Sequence, residues 1–225
     1  MSIPDDISHY LDGFDGVAPL FPLPGAVLFP NLLLPLHMFE PRYRQMTADA
    51  VAGEGFLTLA TLQPGYESLY ETKHAPIFPN VCLGRILNEE RLPDGRYFLV
   101  LQGLSRAIVE EEIETAHPYR MGRLKLLTDE VPDDGEFNVT AYREQFGRAL
   151  QRVPPSRISM EMRDEILNSQ LPIGTLCDLT AHVLNLPTPS LREVSETLNV
   201  QARSELVLRH LVEAGREFPP PFSVN

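Results

Sequence analysis

The spacing of apolar residues changes once along this chain, and that single change points to an α+β fold assembled from two successive parts. Up to about residue 127 the apolar residues come in short or alternating runs: "FLTLATL" (56–62), "VCLGRILNEERL" (81–92), "RYFLVLQGLSRAIVEEEI" (96–113) and "RMGRLKLL" (120–127). That is the period of strands. Pro93-Asp94-Gly95 separates the second run from the third with a turn in which proline presets φ and glycine accepts a positive one. Gln102-Gly103 reads as a second bend. Successive antiparallel strands joined by short turns predict a curled sheet or small barrel rather than a parallel αβ sheet. One helix interrupts them, starting at Pro41 with Tyr43, Met46, Ala50 and Val51 at helical spacing.

Beyond the acidic joint "TDEVPDDGE" (128–136) the period becomes helical. Val139, Tyr142, Phe146, Ala149, Leu150 and Val153 form one stripe, stopped by Pro154-Pro155. Ile158, Met162 and Ile166 predict a second helix, and Ile173, Leu176, Thr180, Val183 and Leu184 a third. Thr188 is the expected cap of a fourth, with Pro189 at its first position and Leu191, Val194 and Leu198 inward. The last helix is expected from Val200 to Ala214, with Val207, Leu208, Leu211 and Val212 inward and Gly215 as its stop. Each stripe needs a partner, so a bundle follows.

Charge narrows the functions. The net charge is −12, which disfavours nucleic acid and anionic membrane surfaces as partners. No run approaches the roughly 18 consecutive apolar residues that span a bilayer. The most apolar stretch, "GAVLFPNLLLPLHMF", is broken by Pro30 and Pro35. "MSIPDDISHY" has no basic n-region, so a cytoplasmic location is the default expectation. Cys82 and Cys177 lie in strand and helical patterns and read as buried small hydrophobes, not as a disulfide or metal pair.

Catalytic motifs are missing. No Gly-Lys pair exists to build a phosphate-cradling loop, and there is no Gly-x-Ser-x-Gly elbow. A Ser–Lys dyad would have to use Lys73, in a polar loop, or Lys125, beside Arg123 on the outward face of a strand. The six histidines are scattered, with no pair at metal-binding spacing. His37 reads first as a hydrogen-bonded structural residue and second as a contact residue. No catalytic residue, metal or cofactor is therefore expected.

What remains distinctive is "LFPLPGAVLFPNLLLPLHMFEPRYRQM" (20–46), followed by "GRILNEERLPDGRYFLVLQGLSRAIV" (84–109), "HPYRMGRL" (117–124) and "LCDLTAHVLNLPTPSLREVSETLNVQARSELVLRHL" (176–211). In this order they resemble the amino-terminal, substrate-binding domain of Lon-type proteases, over about residues 18–214. The resemblance implies a PUA-like β pseudo-barrel, mostly antiparallel with one inserted helix, followed by an α-helical bundle. It implies a stand-alone member of the family, without the AAA+ ATPase and Ser–Lys protease domains, and a non-enzymatic one.

With the period switch, this partitions the chain into a flexible tail (1–17), barrel (18–128), acidic joint (129–135), helical bundle (136–215) and flexible tail (216–225). The partners implied are unfolded or extended protein segments, with an ATP-dependent protease or another protein as a further one. The oligomeric state is left open. An extended peptide would lie along an exposed sheet edge or in an apolar groove between barrel and bundle. Candidate partner-binding residues, each with a structural alternative, are His37, Phe39, Glu40, Arg42, Tyr43, Arg91 and Arg106. Two other uses of the same barrel make different demands. A small-molecule site or enzyme requires a closed pocket with convergent polar groups, and RNA binding requires a basic patch from Arg85, Arg91, Arg96 and Arg106.

Overall fold

The computed structural model describes residues 8–132 and 137–216, and its first strand, β1 (Val17–Leu23), carries prolines at positions 19 and 22. The ends of the expected tails (1–7 and 217–225) and residues 133–136 of the joint lie outside the described residues. Proline cannot donate to a ladder and is normally excluded from a strand with neighbours on both sides. The register resolves this. β1 pairs antiparallel with β6 (Arg120–Leu127) through residues 17–20 and parallel with β3 (Phe56–Thr61) through residues 20–23. Pro19 and Pro22 therefore each face only one neighbouring strand.

The remaining strands are β2 (Leu33–Met38), β4 (Asn80–Arg91) and β5 (Tyr97–Ile113). The sheet has six strands in the order β2-β5-β4-β3-β1-β6, with a further pairing of β5 to β6. β5 makes this geometry because it is 17 residues long. Its first part pairs with β2 through residues 97–102 and its second with β6 through 106–113, while β4 follows it on the other side. The pairings β1–β3–β4–β5–β6–β1 thus run in a ring, and β2 hangs on the outside of β5. No strand pairs with the other edge of β2 among the described residues. Ala18, Leu20, Phe56, Leu83, Leu104 and Leu124 are among the buried residues of the sheet's core.

Between β2 and β3 lies helix α1 (Pro41–Ala52), begun by proline as expected and burying Tyr43, Met46, Thr47 and Ala50. Val51, expected inside, is exposed.

The chain divides between Thr128 and Asp129 into two compact units. The second holds α2 (Val139–Leu150), α3 (Met160–Asn168), α4 (Ile173–Val183), α5 (Thr188–Glu196) and α6 (Val200–Arg216). Asn138 and Ser159 cap α2 and α3 by accepting from Ala141 N at 2.9 Å and Met162 N at 3.2 Å, contributions of about 1 kcal/mol each. α6 packs on α2, α4 and α5. It also buries a charge: Arg203 is fully buried, donating to Asp129 Oδ1 and to Thr197 O at 2.9 Å each, with Asp178 Oδ1 3.5 Å from its Nε.

Four further local expectations are corrected. Gln102-Gly103 is not a bend but part of continuous β5, where the register with β4 shifts between Leu83 and Gly84. Glycine is required there for a different reason: Asn31 N donates to Gly103 O at 2.8 Å and Gly103 N to Leu32 O at 2.9 Å, so a Cβ would collide with the Phe29 carbonyl. Thr188 lies within the first turn of α5 and Pro187 occupies the capping position. Gly215 continues α6 instead of ending it. A Cβ on it would stand 3.2 Å from Arg152 Cβ, so close packing is what favours glycine. On the same helix Val212 is exposed, not inward, while Leu206 and Ala214 are buried.

Candidate functional site

The corner where β2 runs into α1 gathers most of the residues singled out in the sequence. Side chains alternate along a strand, so Met38 turns inward, 1% exposed, while His37 and Phe39 face the other way. Phe98 stands opposite His37 in the β2–β5 register. The His37 and Phe98 rings stack with centroids 4.5 Å apart, and Phe39 lies 5.7 Å from His37. Phe39 is 59% and Phe98 48% exposed, so with the half-buried His37 they form an aromatic row, its two phenyl rings open to solvent, beside the unpaired edge of β2. Imidazole Nε2 of His37 is buried and has no hydrogen-bond partner among the described residues. A hydrogen bond at that atom is thus not what holds the ring; stacking is.

Glu40, Arg42 and Tyr43 come together a turn further on and do something different. Glu40 Oε2 accepts from Arg42 Nε at 3.0 Å, and Glu40 Oε1 accepts from the Tyr70 hydroxyl at 2.9 Å. The Arg42 guanidinium lies 4.5 Å over the Tyr43 ring and 5.1 Å over that of Tyr70. Tyr43 is buried and meets Phe21 edge to face at 4.7 Å. Partial burial, reinforced by the bond to Glu40, pushes the Tyr70 phenol up to about 12, and burial raises that of Tyr43. This cluster ties the start of α1 to the loop between β3 and β4.

The other two candidates lie apart. Arg91 ends β4, exposed, with its guanidinium 5.9 Å above the Tyr97 ring. Arg106 is 4% exposed and lies 5.9 Å from the Phe29 ring. Arg96 pairs with Asp94 at 2.7 Å. With Arg106 inside, the four arginines of the RNA-binding reading do not share the surface.

Phe98 and Tyr70 were not singled out in the sequence. A signal existed for Phe98: Tyr97 and Phe98 are adjacent in a strand, so one aromatic ring had to face outward. None existed for Tyr70, which reaches Glu40 across 30 residues of loop and sheet. Among the described residues there is no group of three or more potential metal ligands and no helix long and apolar enough to cross a membrane.

The model of the ATP-dependent protease La (LON) substrate-binding domain matches residues 17–213. The Lon protease of Anaeromyxobacter dehalogenans is 28% identical over 197 residues, covering 87% of this chain and 23% of that protein. The Lon protease of Desulfosudis oleivorans is 26% identical over 201 residues, covering 89% and 24%. The chain therefore spans about a quarter of the length of these curated relatives. Among solved structures, the N-terminal domain of the Mycobacterium avium complex Lon protease superposes with a TM-score of 0.65 at 20% identity, covering 89% of this chain and 98% of that one. A Lon N-terminal domain protein from Xanthomonas campestris gives 0.62 at 20% identity, covering 86% and 97%. With the family model spanning nearly all of both units, this chain belongs to the Lon substrate-binding domain family.

Proposed function

We propose that this chain is a non-catalytic recognition module for unfolded or extended protein segments, an adaptor or client recogniser in proteolysis or protein quality control. The observation that carries the reading is the aromatic row of His37, Phe39 and Phe98, which stands open to solvent beside the free edge of β2. Large apolar rings at a strand edge provide two kinds of contact to an extended segment: main-chain pairing along the edge and side-chain packing on the rings. Pro35 removes one donor from β2, so the rings, more than a complete ladder, would select what binds.

In this reading Phe39 and His37 touch the client, while Glu40, Arg42 and Tyr43 hold the corner that presents them. The cyclic strand pairing supports a PUA-like pseudo-barrel over residues 18–128, and the packing of α6 on three other helices supports a bundle over 136–215. Affinity for one segment would be modest, roughly micromolar to millimolar, or about 8 down to 4 kcal/mol.

The test is a fluorescence-anisotropy titration of a labelled, irreversibly unfolded protein with the full chain and with Phe39→Ser and Phe98→Ser. Saturable binding weakened by both substitutions supports the reading. No binding at millimolar chain, or binding indifferent to both, rules it out.

A further inference from the structure

Away from the aromatic row, the first unit has a surface cleft of about 600 Å³ between the loop of residues 73–77 and the β5–β6 hairpin. Two side chains brace its walls. Lys73 Nζ donates across it to Thr115 O at 3.1 Å, and Arg120 Nη1 donates back to Ala75 O at 2.6 Å. A cleft braced from both sides is already in its binding shape. Ile77, Ile113 and Met121 give it apolar lining.

Its charges are unevenly satisfied. Arg120, 7% exposed, holds Glu112 through Nε at 2.7 Å and Nη2 at 2.5 Å. Lys73 has no carboxylate within ion-pairing distance among the described residues. Its ammonium has three donors, and its one hydrogen bond is to a carbonyl. Thr115, in the same lining, has a buried Oγ1 without a partner among the described residues. Lys73 and Arg120 also border a small hollow with Arg42 and Tyr43, whose hydroxyl is likewise buried and unpartnered. Lys73 and Thr115 thus bring unused donors to the same cleft, and they call for an anionic acceptor.

We propose that this cleft binds the C-terminal residue of a protein chain, with its carboxylate at Lys73 and Thr115 and an apolar side chain against Ile77, Ile113 and Met121. The inference deepens, and rests on, the reading of the chain as a recogniser of protein segments. An α-carboxylate beside an aliphatic side chain supplies both features the cleft requires on one residue. An internal aspartate or glutamate supplies only the charge, and acidic segments are repelled by Glu114 at the cleft and by the net charge of −12.

The test is an anisotropy titration of the full chain with a short labelled peptide ending in leucine, as the free acid and as the amide, with N-acetyl-leucine as competitor. The acid is expected to bind about tenfold more tightly than the amide, since the charge-assisted hydrogen bonds are lost with the carboxylate. Lys73→Met and Thr115→Val should each bring the acid towards the amide, while Lys125→Met, on the exposed face of β6, should change nothing. N-acetyl-leucine, which carries both features on one residue, should displace the labelled acid, and N-acetyl-leucinamide should not. Equal binding of acid and amide, or an unchanged preference in Lys73→Met and Thr115→Val, overturns the proposal. Failure of N-acetyl-leucine to displace the peptide overturns it too, because the residue that the cleft reads is then not the last one. If acid and amide bind equally and both are weakened by Phe39→Ser, segment recognition survives and the cleft assignment falls. If neither the peptides nor an unfolded protein binds, both fall.

Discussion

The guanidinium of Arg44 rests on Gly95, so closely that a Cβ built on that glycine would collide with Arg44 Nη2 and stand 3.0 Å from Cζ. Arg44 belongs to α1 and Gly95 to the β4–β5 turn, so this contact joins "FEPRYR" to "LPDGRY", two of the most distinctive stretches of the sequence. Gly95 also has φ of 81°, in the left-handed region.

Gly95→Ala should therefore destabilise the chain by about 1–2 kcal/mol from the backbone alone, read as a lower urea midpoint. Adding Arg44→Ala should recover only the part due to the collision, because φ is unchanged. Full recovery would mean that the backbone conformation costs nothing.

Truncating the aromatic row should separate binding from stability. Phe39→Ser, at an exposed position just after β2, should move the unfolding free energy by no more than about 0.5 kcal/mol, and Phe98→Ser, which also loses the stack on His37, by about 1 kcal/mol. Affinity for an unfolded client should fall about 5- to 30-fold for each, the effect of removing an aromatic anchor worth roughly 1–2 kcal/mol. A loss of affinity matched by an equal loss of stability would locate the effect in folding instead.

The elements that the sequence made legible are those whose period is long or whose punctuation is unambiguous. Pro41 announced α1, Pro93-Asp94-Gly95 the β4–β5 turn, and Phe146, Ala149 and Leu150 the buried face of α2. Legibility failed where a residue serves a neighbour distant in sequence. Gly103 resembled a bend because glycine is common in bends, but it is glycine because the Phe29 carbonyl presses on it. Gly215 resembled a stop but accommodates Arg152. Arg203, a charge on a helix expected to show only its aliphatic stripe, is the largest fully buried side chain among the described residues, and nothing in its local pattern names Asp129 as its partner. In the candidate site, residues 37–43 stood out as a motif. Their separation into an exposed aromatic row and an inward ionic tie depends on Phe98 and Tyr70, which other strands and loops supply.

The tie predicts an alkaline transition. Burial first, and then the hydrogen bond to Glu40, raises the Tyr70 phenol from about 10 to about 12 in the folded chain. Between those values the folded state binds more protons than the unfolded one, so stability falls as pH rises. The stabilisation is complete below pH about 10 and is lost as pH passes through about 12. Tyr70→Phe should flatten the decline of the urea midpoint over that window. Tyr43 and Tyr119 are raised by burial in the same direction, so some slope should remain.

The strongest stability prediction concerns Arg203. Its Nη1 serves Asp129 and the Thr197 carbonyl, and Asp178, only 2% exposed, lies 3.5 Å from its Nε. Glu130 N donates to Leu198 O at 2.9 Å and Val200 N to Glu130 O at 2.8 Å, so the buried ion pair anchors the first residues of the second unit to the turn before α6. Arg203→Met would remove the buried guanidinium that faces both carboxylates, a loss of about 3–5 kcal/mol, the scale of breaking one side of a buried ion pair. Arg203→Lys should recover little, because an ammonium cannot serve Asp129 with two nitrogens while reaching Thr197 and Asp178. Urea unfolding followed by helical circular dichroism reads this directly. A loss below about 1 kcal/mol in Arg203→Met, the scale of a surface ion pair, would show that the carboxylates find other partners or water once the guanidinium is gone.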